Sequence, residues 1–493
     1  MCGITGISEG SEVQTVERMM ASLRHRGPDG GGLWWNEHYT LGHKRLSIID
    51  LEGGAQPMGD SEGRSRIVFN GEIYNYPNLR KELGEDRFST QSDTEVILHL
   101  YLEDPIGHVE RLDGMFAYAI VEGNQVTLTR DPLGIKPLYV GRRDDGSFVF
   151  ASEIEAALKA CDNVQEFPPG HLYSSITGMA RYYDLNPGPP YVADVETAKR
   201  GISERLDEAV SKRLIADVPV GVFLSGGLDS SLTAAFARRH KHPLDSFSVG
   251  TAESPDREYA WQVAEFLGTR HHEYIYTVKE AIEALPEVIR YLESFDCALV
   301  RSAIPNFFLA RLARGYVKVA LSGEGSDELF AGYDYLKGLS PDALEEELIY
   351  ITRSLHNTNL QRCDRMSMAH GLEVRVPFLD VKLVDWAFRI PVSLKLSAPN
   401  GTEKWILRKV AEDILPESIV WRKKSKFAIG AGLGEALAQF AEKEISDAQF
   451  SREKEIGDGV FLRSKEELMY YRIFREQYPA DKLLPLIGRS RSV

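Results

Sequence analysis

Residues 218–239 read VPVGVFLSGGLDSSLTAAFARR. An apolar run ends abruptly at Ser225-Gly226-Gly227, and Leu228 then opens a segment of good helix formers, so the stretch predicts a strand, a glycine loop and a helix. Free backbone N–H groups, the hydroxyls of Ser230 and Ser231 and the positive end of the helix dipole all converge on the loop, which makes it an anion site. No Gly-Lys-Ser/Thr follows, so it is not a Walker A loop. Asp229 inside the loop fits instead a pyrophosphate-binding loop that serves cleavage of ATP between its α- and β-phosphates.

The same rhythm continues outward. DSFSVG (245–250) and EYAWQVAEFLG (258–268) form a second strand and helix, and VKVALSGEGSDELFAGY (317–333) repeats the strand, glycine loop and helix. Such alternation predicts a parallel sheet with helices on both faces, binding ligands at the carboxyl ends of its strands. The second loop brings Ser322 and Gly323 to the nucleotide, Glu324 as a candidate base, and Asp327 as a partner for Asp229. Two carboxylates beside a polyphosphate are most useful with magnesium between them, so Asp229 and Asp327 are the metal candidates. Further on, VWRKKSKF (420–427) gathers basic residues in an otherwise acidic chain, and Lys424 is the chosen cation for departing pyrophosphate.

The N-terminal part has a different texture. DLNPGPPYVADV, Asp184 to Val195, crowds three prolines and a glycine and reads as a linker. Before it, RIVFNGEIYN, GMFAYAIVEG and PLYVGRRDDGSFVFAS read as strands and hairpins, with helices expected at Thr15–Arg24 and Thr94–Leu102. The expectation is an antiparallel, sheet-rich α+β domain. At its start, Cys2 follows Met1 directly. Loss of the methionine would leave a thiol and a free α-amine on one residue, a nucleophile carrying its own base. Asn70 and Gly71, at the end of an apolar strand, could face an oxyanion. Arg45 could grip an α-carboxylate bidentately, and Glu72 and Asp93 an α-ammonium group.

Composition narrows the classes. Fifty-eight Lys and Arg against 73 Asp and Glu leave a net charge of −15, which argues against a general nucleic-acid or anionic-membrane surface. Four scattered cysteines without a Cys-x-x-Cys suggest neither a disulfide framework nor a zinc site. Neither a leader nor a run of about 18 to 20 apolar residues is seen, so the expectation is a soluble protein of the cytoplasm. At 493 residues, two to four domains are expected.

Taken in order, Cys2, RHRGPDG, GHKRLSIID, FNGEIYN, QSDTEVILHLY and RDPLGIKPLY resemble the class II glutamine amidotransferase domain over nearly all of residues 2–180. With SGGLDSS, SVG, ESPDREYAWQVAEFLGTRHHE, SGEGSDELFAGY, LEVRVPFLD and KWILRKV, the chain resembles the glutamine-hydrolysing asparagine synthetases over almost its whole length. The resemblance implies an N-terminal-nucleophile α-β-β-α sandwich (2–185). An α/β ATP-pyrophosphatase-type domain with a helical C-terminal part (196–493) would follow it. In the first, Cys2 would attack the side-chain amide of glutamine. Asn70 and Gly71 would hold the oxyanion, Arg45, Glu72 and Asp93 the head group, and the backbone of Leu46, Ser47, Ile48 and Ile49 would line the pocket. In the second, Phe223, Ser225, Gly226, Gly227, Asp229, Ser230, Ser322, Gly323 and Lys424 would contact ATP, with Val249 at the adenine.

The reaction so implied is ATP-dependent: aspartate is activated as β-aspartyl-AMP, and ammonia from glutamine converts it to asparagine. The partners would be small molecules, namely glutamine, aspartate and MgATP, and a homodimer is left open. A related branch, the β-lactam synthetases, resembles this chain but lacks the cysteine and carries tyrosine at the position of Glu324. The alternative is therefore the same architecture acting on another carboxylic acid, and Arg301 and Arg375 are candidate grips for an acceptor's α-carboxylate, with Arg375 equally readable as a buried ion-pair partner. Two departures from the family pattern touch that question: Ala331 in FAGY, where relatives often have glycine, and the weakly polar KFAIGAGLGEAL after the lysines.

Overall fold

The strand Ser65–Ile73 alternates cleanly: Ile67, Phe69 and Ile73 point to one side and Val68 to the other. Period-2 alternation of apolar residues on both sides requires two buried faces. In the computed structural model both faces are covered. The structure describes residues 1–186, 188, 191–192, 194–396, 401–423, 432–433, 435–457 and 459–491. Val68, Ala117 and Ala119 pack against Ile4, Leu41 and Phe150 of a second sheet, while Ile67 and Phe69 pack against Val96, Ile97 and Leu100 of the helix Asp93–Glu103.

Each sheet has six antiparallel strands. Gly3–Ile7 lies inside the first, between Phe148–Ala151 and Thr40–Arg45, and Ser65–Ile73 pairs with Gly114–Glu122 in the second. The helix Val13–Ser22 covers the outer face of the first sheet with Val16, Met19 and Met20. This is the α-β-β-α sandwich. The expected helices are displaced by a residue or two at each end, because Ser92, accepting from the Thr94 N–H at 3.2 Å, starts the second one earlier.

Beyond the linker, five parallel strands run in the order Arg270–Ile275, Asp245–Gly250, Val220–Phe223, Val319–Leu321, Glu373–Arg375. The order reverses at Val220–Phe223, so the loops after it and after its neighbour Val319–Leu321 open on one crevice. Helices cover the sheet and form the remainder up to Lys465–Gln477 and the short turns after it. Among the described residues no helix is long and apolar enough to cross a membrane.

The two halves meet through charge. Arg26, Lys136 and Glu153 from the first and Glu293, Asp364 and Arg365 from the second are all at most 5% exposed. Arg26 donates to Glu153 at 2.6 Å and to Asp364 at 2.8 Å, and Arg365 donates to Glu293 at 3.0 Å. Glu293 in turn accepts from the backbone N–H groups of Ile154 and Glu155, so a carboxylate of the second half caps a helix of the first. Burial pushes the Asp364 carboxyl up, but the cations of Arg26 and Lys136 outweigh it and hold it at about 2.

Gly71 sits where the strand Ser65–Ile73 crosses Phe116, and a Cβ there would collide with the Met115 carbonyl oxygen and the Phe116 backbone. Gly71→Ala is expected to lose about 1 to 3 kcal/mol through forced separation of the two strands. Thermal unfolding checks this; an unchanged melting temperature would mean that the ladder yields freely there.

Candidate active sites

The strand Gly3–Ile7 delivers Cys2 to the centre of the sandwich, where it is 8% exposed. Its backbone N–H donates to Asn70 Oδ1 at 2.9 Å and its carbonyl accepts from Arg26 Nε at 3.0 Å, so the nucleophile's backbone is held at both ends. Burial pushes the Cys2 thiol up. The Met1 ammonium, the backbone N–H of Leu46 and Arg45 offset only part of this, and the thiol stays above its ordinary value. The Leu46 N–H thus lies against the sulfur. The rest of the segment is bound from outside: Ser47 N–H donates to Asp29, and the Ile48 carbonyl accepts from Asp217 N–H, with Ile49 buried beside them.

Asn70 is fully buried, and its Nδ2 has no acceptor among the described residues. An orphaned amide donor next to a thiol is what an oxyanion would satisfy. Arg45 donates to the carbonyls of Leu51 and Asp50 at 3.0 and 2.5 Å; no carboxylate pairs with it among the described residues, so its charge is available to an anionic ligand. Asp93 is buried with only N–H partners, Ile73 at 2.9 Å among them, and burial raises its carboxyl to about 6. It too lacks a counterion among the described residues, and a ligand's ammonium would supply one.

Glu72 differs from the expectation. Its carboxylate lies in a closed cluster with Arg375 at 3.4 Å, Glu373 and the Met1 ammonium, which is 3.1 Å from Glu373. Burial and the neighbouring Glu373 push Glu72 well above the carboxylate range, and its Oε2 has no hydrogen-bond partner. Arg375 is therefore no acceptor grip. It is fully buried beneath the first site, donating to Glu373 and to the carbonyls of Arg213 and Ile215.

The second site is a cavity of about 950 Å³, ample for a nucleotide and a small acid. Phe223 and Val249 form apolar wall, and the loop Ser225–Gly227 caps the helix Leu228–His240. Gly226 has φ +69° and lies so close to Tyr259 and Ala260 that only glycine fits. Ser230 Oγ bonds Ser225 and Gly227, which ties the loop to the helix start. Gly323 packs on Asp229 and Ser230, bringing the second loop with Ser322 onto the first. Glu324 lines the cavity and is held by Arg362 at 2.6 Å. Ala331 adopts φ +56°, which explains why glycine suits that position.

Lys404 was not foreseen. Its Nζ lies 2.5 Å from Asp229 and 2.7 Å from Asp327, filling the point where the two carboxylates converge. Burial pulls the ammonium down, and the two carboxylates more than restore it. The string KWILRKV contains this lysine, but no local pattern marks it. A magnesium ion would find two converging carboxylate oxygens here, a donor set that fits only with polyphosphate oxygens added and the lysine sharing the site. Arg301 lines the cavity but is paired bidentately with Glu466. Arg422 grips the first loop through the Gly226 carbonyl at 3.2 Å and pairs with Asp256. Lys424 lies outside the described residues, as does most of KFAIGAGLGEAL.

Two outcomes follow from these charges. A carboxyl raised from about 3.9 unfolded to about 6 folded costs stability as pH climbs through that window. Asp93→Asn should therefore melt higher than the parent at pH 8 and close to it at pH 4; a constant difference would mean that Asp93 stays ionised in the fold. Lys404→Met should lose about 3 to 5 kcal/mol by stranding two carboxylates. Adding Asp327→Asn should recover part of this in a double-mutant melt; strict additivity would mean that the lysine does not pair with Asp327.

Family models match in the same two blocks. A glutamine amidotransferase domain model matches residues 1–184, and an asparagine synthase model matches 201–341 and 337–484. The chain is 39% identical to a probable glutamine-hydrolysing asparagine synthetase of Dictyostelium discoideum, over 99% of this chain and 96% of that one. It is 38% identical to asparagine synthetase 2 of Arabidopsis thaliana (97% and 88% covered) and 38% identical to the enzyme of Asparagus officinalis (97% and 86%). The chain belongs to the glutamine-hydrolysing asparagine synthetase family.

Proposed function

We propose that this chain makes asparagine from aspartate and ATP with nitrogen taken from glutamine, releasing glutamate, AMP and pyrophosphate. The observation that carries the reading is the pairing, in one molecule, of a buried thiol beside an orphaned amide donor with a cavity where phosphate-binding loops, two carboxylates and Glu324 meet. Relatives named for that reaction span the whole chain. We divide it into a glutaminase domain, 2–185, and a synthetase domain, 196–493.

In the first domain, excision of Met1 would turn the Cys2 amide into a free amine able to take the thiol proton. The thiolate attacks the glutamine carboxamide, and Asn70 Nδ2 and Gly71 N–H receive the oxyanion as the C–N bond breaks. Arg45 binds the α-carboxylate of glutamine, Asp93 its ammonium, and the backbone of Leu46–Ile49 the chain between. Water then releases glutamate from the acyl enzyme.

In the second domain, the β-carboxylate of aspartate attacks the α-phosphorus of ATP and pyrophosphate leaves. Ser225, Gly226, Gly227, Ser230, Ser322 and Gly323 orient the phosphates, Phe223 and Val249 shelter the base, and Lys424 draws off pyrophosphate. Asp229 and Asp327 would hold magnesium, which supplies charge neutralisation on the polyphosphate when bound. Ammonia attacks the acyl-adenylate, Glu324 accepts the proton it sheds, and AMP departs. Ammonia in neutral water is mostly ammonium, which has no lone pair, so transfer inside the protein keeps the nucleophile competent.

Pyrophosphate release with MgATP and glutamine should depend on aspartate in a panel of carboxylic acids, with asparagine identified by mass. Cys2→Ala should abolish glutamate release and glutamine-supported synthesis, while ammonium salts still support synthesis at near-parental rate. Silence with aspartate and turnover of another acid would replace the acceptor and keep both half-reactions.

A further inference from the structure

We propose that Asp364, a residue of the synthetase half, is a positioning residue for the glutaminase nucleophile, so that the first site is complete only with the second half packed against it. The inference rests on reading Cys2 as that nucleophile. Among the described residues two polar contacts hold the Cys2 backbone: its N–H on Asn70 and its carbonyl under Arg26 Nε at 3.0 Å. Arg26 is fully buried, so water cannot orient it, and the direction of its fork is set by the acceptors on its terminal nitrogens. Asp364 takes both of them, Nη1 at 2.8 Å and Nη2 at 3.3 Å, whereas Glu153 takes Nη1 alone. A bidentate carboxylate fixes the plane of a guanidinium, and a single acceptor lets it rotate. Rotation would lift Nε from the Cys2 carbonyl and loosen the residue carrying the sulfur.

The helix Asn359–Met368 supplies the geometry. Asp364 and Arg362 are two residues apart, hence on nearly opposite faces. Asp364 faces Arg26 and Lys136, while Arg362 faces the cavity and holds Glu324 and Asn306, each at 2.6 Å. One helix thus braces both sites with different side chains, and the effect on the first can be separated from the second by substitution.

The test uses the full chain with two assays, glutamate release from glutamine and asparagine formation from ammonium. Asp364→Asn keeps the shape and removes the charge. Expected is a fall of about 10- to 100-fold in kcat for glutamine hydrolysis, with KM for glutamine and ammonium-supported synthesis each within about threefold of the parent. Asp364→Glu, which restores a carboxylate, should recover a large part of kcat. Lys136→Met removes a different buried charge from the same cluster and leaves the Arg26 fork intact, so its glutamine hydrolysis should stay near parental. If Asp364→Asn does not fold, Asp364→Glu is read instead and should lower hydrolysis more than ammonium-supported synthesis. The proposal is overturned by unchanged hydrolysis in Asp364→Asn, by equal loss in both assays, or by equal loss of hydrolysis in Lys136→Met. Absence of glutamate release from the parent chain would instead overturn the reading of Cys2.

Discussion

Six charged side chains shut away from water between the two halves are the constraint on which this molecule turns. Removing ions from solvent costs several kcal/mol each, and the cluster returns that only when every partner is in place. Apolar surfaces would tolerate a slipped interface; Arg26, Glu153, Asp364, Arg365 and Glu293 do not, because a shift of an ångström leaves a bare charge. The arrangement therefore favours one docking geometry. Since Arg26 also touches the Cys2 carbonyl, and the helix bearing Asp364 also bears Arg362, that geometry reaches both reaction centres.

The same logic, on a smaller scale, organises each centre. In the first, the Asn70 amide has no acceptor and the Arg45 guanidinium and Asp93 carboxyl have no counterion among the described residues. In the second, the carboxylates already have a cation, and Lys404 occupies the place where a metal would be sought. The first site thus holds charges apart, whereas the second sets one ammonium between two carboxylates.

Much of this was legible in the chain. The apolar run ending in Ser-Gly-Gly announced a strand, loop and helix, and RIVFNGEIYN announced a strand, whose two buried faces only the packing reveals. Asn70, Gly71, Asp229 and Glu324 were legible because each sits in a local pattern whose chemistry is recognisable. Lys404, Arg26 and Asp364 were not, because their meaning comes from partners far away in sequence; Arg26 and Asp364 are 338 positions apart. Arg375 reads from the sequence either as a ligand grip or as a buried ion-pair partner, and the fold selects the second by turning it under the first domain. Arg301 was placed on the right wall, but its carboxylate partner, Glu466, comes from a C-terminal helix that sequence alone does not bring near.

Lys404 holds its ammonium from a left-handed backbone, φ +55°, which most residues avoid. Its ammonium is buried, but Asp229 and Asp327 are 23% and 25% exposed on the cavity wall, so mobile ions reach these pairs and weaken them. The two loops that Lys404 bridges should therefore be held less tightly in concentrated salt than in dilute buffer. One ammonium between two carboxylates leaves a net negative charge on the cavity floor, so a polyanion arriving there is met more favourably when it brings a cation with it.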